Sequence, residues 1–358
     1  MCLLIKYCAQ FYISVIESPQ PRQRTSVLKS LRYVTIGMNT WHSNLAPKLE
    51  TKSSKSLIHS FVVKQHRGLT INPYQGCQHR CGYCYATYEW SPDFYDKIYA
   101  KSNAPEILES QLKSSKFKRI EPVMISSATD PYQPAEVRYG LTRRCIQVLQ
   151  KYKAPYYVFT KSTNILRDLD LHTGYRDNCF LVWSITTCDE NIRRLIEPGT
   201  PPADVIFGAI RKFVDAGVCC VVNIDPILPL ITDSGAHLDK IISGCSNNGV
   251  RHVFGALLRL RADIWERMKT ILDALDIREG SSKYQKTIFQ FSEPIRPGVN
   301  IGPSKSYENR MLDILTYRVR CKGMIPKFPA FLWNRPTVSD QYTDTINHGS
   351  QDTLMKYV

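Results

Sequence analysis

Short apolar runs alternate with amphipathic stretches through the middle of the chain. Runs of this kind predict strands, and apolar residues recurring at helical spacing predict helices. The predicted strands are residues 69–72, 123–127, 156–160, 180–186, 218–224 and 250–260, and the predicted helices are 104–113, 141–152, 164–171, 202–216, 236–243 and 263–275. This alternation favours parallel βαβ units. It predicts fold class α/β, with the parallel strands forming a partial (β/α)6 barrel.

The two ends of the chain lack this alternation. Residues 1–60 are basic, and from residue 17 on they mix Pro, Ser, Thr and Lys with little periodicity. A Ser-Ser-Lys-Ser stretch at 53–56 is typical of a flexible link. They predict a basic, loosely ordered N-terminal extension before a core domain over 61–280. Residues 281–358 predict a small α-rich C-terminal segment, with a helix over 305–322 and a polar, mobile tail from Val338.

A cysteine-rich loop follows the first predicted strand. Cys77, Cys81 and Cys84 stand at C-x3-C-x2-C spacing. Three close thiolates can hold three irons of a [4Fe-4S] cluster, because soft sulfur ligands suit iron. No fourth cysteine follows at ferredoxin-like spacing, so one iron stays open to a small molecule. The alternative is a zinc site that uses His79 or a distant fourth ligand, although zinc sites usually come as paired short clusters.

Polar residues gather at the carboxyl ends of the predicted strands. The cysteine loop, residues 126–130, Lys161, residues 184–188 and Asp225 all follow a strand directly. In parallel α/β sheets and barrels these ends meet at one edge, where functional groups collect. The sequence therefore predicts a single site at that edge.

The cysteine loop and several downstream motifs resemble one family. The spacing is typical of the radical S-adenosylmethionine (SAM) enzymes, and the flanking residues resemble their spore photoproduct lyase-like branch, also called DNA repair photolyases. The matching residues, in the family's order, are Asn72-Pro73-Tyr74, Gly76-Cys77, Tyr83-Cys84-Tyr85-Ala86, residues 129–136, Thr142-Arg143-Arg144, Thr160-Lys161-Ser162, Leu166-Arg167-Asp168 and residues 197–201. The resemblance covers about residues 65 to 265.

This resemblance implies two cofactors, a [4Fe-4S] cluster and SAM, whose amino and carboxylate groups bind the open iron. By the same resemblance Tyr83 lies against the adenine. Lys161 pairs with the SAM carboxylate, and Ser184 binds the methionine or ribose part. The implied partners of the α-amino group are Ser127, Thr129 and Asp130. Alternatively, Lys161 and Ser184 have capping or surface roles, and Asp130 caps the turn at Pro131.

The resemblance also implies the reaction. One electron cleaves SAM, and the resulting radical takes a hydrogen atom from the substrate. The lyase itself has a cysteine at the end of the second strand that returns a hydrogen atom, but this chain has Ser126-Ser127-Ala128 there. Cys188, four residues after Ser184, is the candidate thiol predicted on the same face. The alternative is an inert loop cysteine.

Composition indicates the compartment. Hydrophobic residues make up 43% of the chain and charged residues 22%, which is typical of a soluble globular protein. The twelve cysteines are scattered, which favours reduced thiols. Residues 1–16 lack the basic start and cleavage site of a signal peptide, and no run reaches the length of a membrane span. A cytoplasmic location without a membrane partner is expected.

Charge suggests a partner. The net charge is +15, and residues 1–66 carry nine Lys or Arg against two Asp or Glu, while 278–358 carry twelve against seven. These basic flanks favour a nucleic-acid substrate, and the alternative is an ordinary basic surface.

The family also implies a one-electron donor such as flavodoxin or ferredoxin. Two other functions stay open: a radical SAM enzyme for a protein or small metabolite, and a non-catalytic iron–sulfur or zinc protein that binds nucleic acid. The oligomeric state stays undetermined.

Overall fold

The computed structural model describes residues 46–63, 66–88, 93–114 and 121–333. Its strands are β1 (Lys48–Lys52), β2 (Ile58–Val63), β3 (His66–Ile71), β4 (Tyr74–Gln75), β5 (Lys97–Lys101), β6 (Val123–Ile125), β7 (Tyr156–Thr160), β8 (Cys179–Ser184), β9 (Cys219–Ile227) and β10 (His252–Leu257). The α-helices are α1 (Ala104–Lys113), α2 (Pro134–Tyr139), α3 (Leu141–Lys151), α4 (Leu169–Thr173), α5 (Glu190–Ile196), α6 (Ala203–Asp215), α7 (Gly235–Asn247), α8 (Ala262–Ala274), α9 (Gly280–Lys283) and α10 (Lys305–Cys321).

The main sheet has seven strands in the order β10-β9-β8-β7-β6-β3-β2. Six of them, β3 and β6 to β10, are parallel and lie in chain order, whereas β2 pairs antiparallel with β3. Helices connect successive parallel strands, so the carboxyl ends of the six strands meet at one edge. The predicted α/β fold with a partial (β/α)6 barrel is confirmed.

Both faces of the parallel strands are apolar, as β8 shows. Leu181 and Trp183 belong to the core between the sheet and the helices. Their neighbours Phe180 and Val182 point to the opposite, inner face. Because successive strand residues alternate between faces, a continuous apolar run buries the strand on both sides.

A C-terminal aromatic segment covers the inner face of the sheet. The Phe328 ring centroid lies 4.9 Å from that of Phe180, and Trp333 lies 5.5 Å from Tyr157. Leu332 is fully buried in the same cluster. The segment therefore packs as a hydrophobic plug against the partial barrel.

The boundary predicted at residue 60 differs from the structure. Residues 48–52 form β1, which pairs with β5, and β2 runs across the predicted boundary. The stretch at 53–56, predicted as a flexible link, is held by side chains of α1 and its cap. Asn103 accepts a hydrogen bond from the Ser54 amide at 2.8 Å, and Gln111 accepts one from Leu57 at 2.8 Å. These bonds come from residues about fifty positions away, so no local pattern signals them.

The remainder of the domain division stays a prediction. Residues 1–45 and the tail from Val338 lie outside the described residues. Among the residues that are described, no helix combines the length and the apolar character needed to cross a membrane. In the C-terminal segment, the described residues include α10, a helix of 17 residues.

Candidate functional site: a cysteine-lined cavity

The cysteine loop leaves the sheet through a tight turn at Gly76. Its φ of +83° favours glycine, and a Cβ there would lie 2.3 Å from the Lys97 carbonyl oxygen. The next amide, that of Cys77, donates to the Phe94 carbonyl at 3.2 Å. The turn thus packs against the segment that leads into β5, and this contact fixes the position of the start of the cysteine loop.

A second glycine brings another loop against the cysteines. The Gly199 amide donates to the His79 carbonyl at 3.0 Å, and His79 Nδ1 lies 2.9 Å from the Gly199 carbonyl oxygen. A Cβ at Gly199 would lie 2.3 Å from the Gln78 carbonyl oxygen. From the other side, Arg267 of α8 donates to the Gly82 carbonyl at 2.6 Å. The cysteine loop is therefore fastened from two directions.

The three thiols line one wall of a cavity at the carboxyl edge of the sheet. All three are free, and Cys77 and Cys81 are buried. Burial raises the pKa of each thiol, that of Cys77 to about 12. A thiolate here needs a positive partner, which a bound metal supplies.

Asp130 links the ends of β6 and β7 to this loop. Its carboxylate accepts hydrogen bonds from the Tyr132 amide at 2.8 Å, the Lys161 amide at 2.7 Å and the Thr160 hydroxyl at 2.8 Å. His79 Nε2 lies 3.0 Å from Oδ2, close enough for an ion pair but poorly aligned for a hydrogen bond. Burial alone would raise the pKa of Asp130, yet the His79 contact holds it below its usual range. Asp130 thus caps its turn and braces the loop.

Lys161 is paired with Glu197 at the base of the cavity. Its Nζ lies 3.1 Å from Glu197 Oε1 and donates to the Ser184 carbonyl at 3.2 Å. The Tyr83 hydroxyl donates to the same carboxylate and lies 3.0 Å from the Thr186 hydroxyl. Burial opposes both charges, but their attraction lowers the pKa of Glu197 and raises that of Lys161.

Polar groups at or just after the ends of β6, β9 and β10 also line the cavity. They are Ser126, Asp225, Arg259 and Arg261. Burial raises the pKa of Asp225 to about 7, although Lys161 pulls it downward. The cavity and its open mouth together hold about 1140 Å³ of space, which includes adjoining solvent.

Known proteins share both the motif and the fold. The family model described as the radical SAM superfamily matches residues 71–239. An uncharacterised protein of Mycobacterium tuberculosis is 32% identical over 248 residues, which cover 66% of this chain and 71% of that protein.

The chain belongs to the radical SAM superfamily.

More distant proteins extend the comparison. An uncharacterised protein of Acidianus two-tailed virus is 27% identical over 68% of this chain and 84% of its own length. Spore photoproduct lyase complexed with dinucleoside spore photoproduct has a TM-score of 0.58 at 13% identity, covering 89% of this chain and 90% of that one. A variant of the same lyase with bound AdoMet and dinucleoside spore photoproduct also has a TM-score of 0.58 at 13% identity, with 86% and 85% covered. At this identity the likeness shows a shared fold.

Radical SAM enzymes use a [4Fe-4S] cluster and SAM, so the cofactor prediction is confirmed. The residues present fit both groups. Cys77, Cys81 and Cys84 supply three free thiols on one cavity wall, and no three His, Cys, Asp or Glu side chains within the described ranges converge on one ion. The arrangement suits a cluster in which each thiolate meets a different iron.

The structure brings together every residue predicted for the site except one. The cavity lining includes the three cysteines and the predicted SAM-binding residues Tyr83, Ser127, Thr129, Asp130, Lys161 and Ser184. Several of their polar groups already have protein partners. The Thr129 hydroxyl donates to the Gly76 carbonyl at 2.5 Å, and the Ser127 hydroxyl accepts from Asn72 at 3.2 Å. Their contacts to SAM remain predictions, as does that of Lys161, for which Glu197 competes.

Cys188 is the exception. The prediction that its side chain lies on the same face as Ser184 is wrong. It does not line the cavity, and it packs instead against the core between sheet and helices. Its neighbours include Asp204 of α6 and Lys240 of α7, and burial raises its pKa to about 11. The chain leaves β8 at Ser184 and turns before α5, so strand alternation no longer sets the direction of the Cys188 side chain.

Reasoning from the sequence missed three residues that contribute to the site. Glu197 and Gly199 lie in a motif that matched the family, but the motif alone does not show that it packs on the cysteines. Arg259 lies at the end of a predicted strand, where a basic residue is a usable signal. Its position on the cavity wall follows only from the closed fold.

Proposed function

We propose that this radical SAM enzyme acts on a nucleic acid, with Cys77, Cys81 and Cys84 as the cluster ligands. The observation that carries the proposal is a single cavity lined both by the three cysteines and by Arg259 and Arg261. The cysteines suit the cofactors, and the arginines offer positive charge to a polyanionic substrate.

When bound, the cluster and SAM supply an organic radical that removes a hydrogen atom from the substrate. The chain's own residues orient the reactants and exclude water. The floor of the cavity includes the apolar side chains of Phe94, Leu257, Leu258 and Ile264, which offer no reactive polar group. Tyr83 presents its ring beside the last cysteine while Glu197 fixes its hydroxyl. SAM is expected between these apolar residues and the Lys161–Ser184 side.

Two further features support nucleic acid. The lyase that shares this fold was solved with a dinucleoside spore photoproduct, and its fold matches nearly the whole chain. The basic excess at both ends of this chain supplies sequence-independent attraction to phosphates. An electron donor, such as a flavodoxin or ferredoxin, belongs to the same proposal.

Nucleic-acid modification fits the cavity better than lesion reversal through a protein thiol. Within the described residues, the cysteines that line the cavity are the three proposed ligands. Ser126 and Ser127 occupy the end of β6, and an O–H bond is too strong to return a hydrogen atom readily. A hydrogen donor other than a serine hydroxyl, such as SAM's own product or a small molecule, would complete the hydrogen balance of the reaction.

The test is anaerobic reconstitution with iron and sulfide, followed by a 5′-deoxyadenosine assay under a chemical reductant. We expect about four irons and four sulfides per chain. Product formation should rise with DNA or tRNA above the level without substrate. Cys77→Ala, Cys81→Ala and Cys84→Ala should each abolish both iron retention and product, whereas the matched thiol variant Cys188→Ala should retain both.

Adding a cell extract to the 5′-deoxyadenosine assay tests whether the substrate is a nucleic acid. Stimulation by the extract should disappear after nuclease treatment. If it survives nuclease and purified nucleic acids have no effect, the substrate is a protein or a small metabolite. Stoichiometric zinc without iron in anaerobic preparations would contradict the cofactor assignment to these cysteines.

A further inference from the structure

Arg259 lies two residues after β10 and lines the same cavity as the three cysteines. The residues on either side, Leu258 and Leu260, are buried in the apolar cluster around α8. Arg259 itself is half-buried and lines the cavity. Its position at a strand's carboxyl end is where substrate-binding groups collect in such folds.

The guanidinium group is held in place by a neighbouring segment. Arg259 Nε donates to Asn300 Oδ1 at 3.2 Å. Reciprocal backbone hydrogen bonds of 2.8 and 2.9 Å join Leu260 to Ile301 and fix that segment beside the strand end. A Cβ at Gly302 would lie 2.7 Å from Arg259 Nη1, so glycine provides the room that the guanidinium occupies. The group is therefore positioned without the help of a carboxylate.

Arg259 makes no ion pair among the described residues, although the Asp225 carboxyl group lines the same cavity. Lys161 is neutralised by Glu197, and Asp130 by His79. Over the residues that the structure describes, no carboxylate comes within ion-pair distance of Arg259. A half-buried cation that is fixed but unpaired is costly unless a ligand supplies the counter-charge.

A second observation on the same cavity points to a polar ligand. Ser126 is 3% exposed, and its hydroxyl is buried without a hydrogen-bond partner. Its φ of +66° is unusual for a residue with a side chain. Buried hydroxyls in native proteins nearly always have partners, so this one is expected to bind a ligand.

We propose that Arg259, with Arg261 two residues on, binds a backbone phosphate of the substrate inside the cavity. This inference rests on the proposed function, because it takes the substrate to be a nucleic acid. The planar guanidinium fork matches two phosphate oxygens, whereas a lysine offers only a point charge. Arg261 adds positive charge and also donates to the Tyr85 carbonyl at 3.3 Å, which joins the proposed phosphate site to the cysteine loop.

The experiment compares a charged and an uncharged backbone. Cluster-loaded protein with SAM is titrated at low salt with single-stranded hexathymidylate, and with the same hexamer carrying methylphosphonate linkages. Wild type should prefer the charged hexamer. Arg259→Gln should weaken binding of the charged hexamer by about tenfold and leave the uncharged one unchanged. Arg259→Lys should restore part of the preference. Arg211→Gln, which removes an exposed arginine of α6, is the matched control and should change neither affinity.

Each other outcome counts against the inference. Equal weakening of both hexamers by Arg259→Gln would mean a structural role or a contact to SAM. An unchanged preference in that variant would remove Arg259 from the substrate site, while nucleic-acid-stimulated 5′-deoxyadenosine formation would still support the proposed function. If wild type neither binds nucleic acid nor responds to it, the proposed function fails and the phosphate site fails with it.

Discussion

The Lys161 ammonium lies 3.1 Å from the Glu197 carboxylate, and both charges act on the Cys81 thiol. The Tyr83 ring covers the ammonium, with Nζ 5.6 Å from its centroid. The pair is almost fully buried, at 13% and 5% side-chain exposure, so each charge depends on the other. One ion pair thus joins the loop after β7 to the loop after α5, next to the candidate cofactor site.

Breaking this pair should destabilise the protein strongly. Glu197→Gln should lower the free energy of unfolding by about 3 kcal/mol, because it leaves a buried ammonium without its counter-charge. Adding Lys161→Met to that variant should recover part of the loss. Urea unfolding of the cluster-loaded protein measures both. Asp215→Asn breaks an exposed pair on α6 and should cost less than about 1 kcal/mol. Similar losses from the two pairs would contradict a buried, coupled role.

Asp225 should make stability depend on pH in an unusual direction. Burial raises its pKa to about 7, from the ordinary aspartate value of 3.8. Between these values the folded protein binds more protons than the unfolded chain, so this group's contribution lowers stability as pH rises. Asp225→Asn should therefore raise the melting temperature relative to wild type more at pH 8 than at pH 5. A constant difference across this range would show that the carboxyl is not perturbed.

Gly199 should be irreplaceable because of its contact with the cysteine loop. Gly199→Ala places a methyl group 2.3 Å from the Gln78 carbonyl oxygen and 2.7 Å from His79 Cα, so the loop must move. Iron retention after anaerobic reconstitution should fall. The matched control is Gly208→Ala in α6, where a Cβ meets nothing within 4 Å. That variant should gain roughly 0.5–1 kcal/mol from helix propensity and keep its iron. Equal iron content in both variants would show that the loop tolerates the shift.

Trp333 should act through packing. Its ring contacts Tyr157, Phe180 and Phe328 on the inner face of the sheet. Because the ring is half-buried, Trp333→Ala should lower the free energy of unfolding by less than about 3–5 kcal/mol, the cost of truncating a fully buried aromatic residue. Nucleic-acid affinity of the folded variant should be unchanged. A loss of affinity at constant melting temperature would instead indicate stacking on an exposed base.

The sequence by itself determined the architecture and the location of the site. Helix α1 and strand β7 match the predicted spans 104–113 and 156–160 at both ends, because apolar periodicity and flanking turn residues are local signals. The cysteine spacing and the polar residues after each strand sufficed to place nine predicted residues on one cavity. This works because the carboxyl ends of parallel strands necessarily converge.

Only the tertiary structure decided which of those groups pair with each other. Glu197 reaches Lys161 from a loop 36 residues further along the chain, and Asn300 reaches Arg259 across 41 residues. Cys188 turned away from the cavity because it lies beyond the strand whose alternation predicted its direction. The polar strand β1 exists because β5 offers it a hydrogen-bonding edge. Such contacts depend on how separate loops pack together in three dimensions. Periodicity along the chain carries no information about this packing.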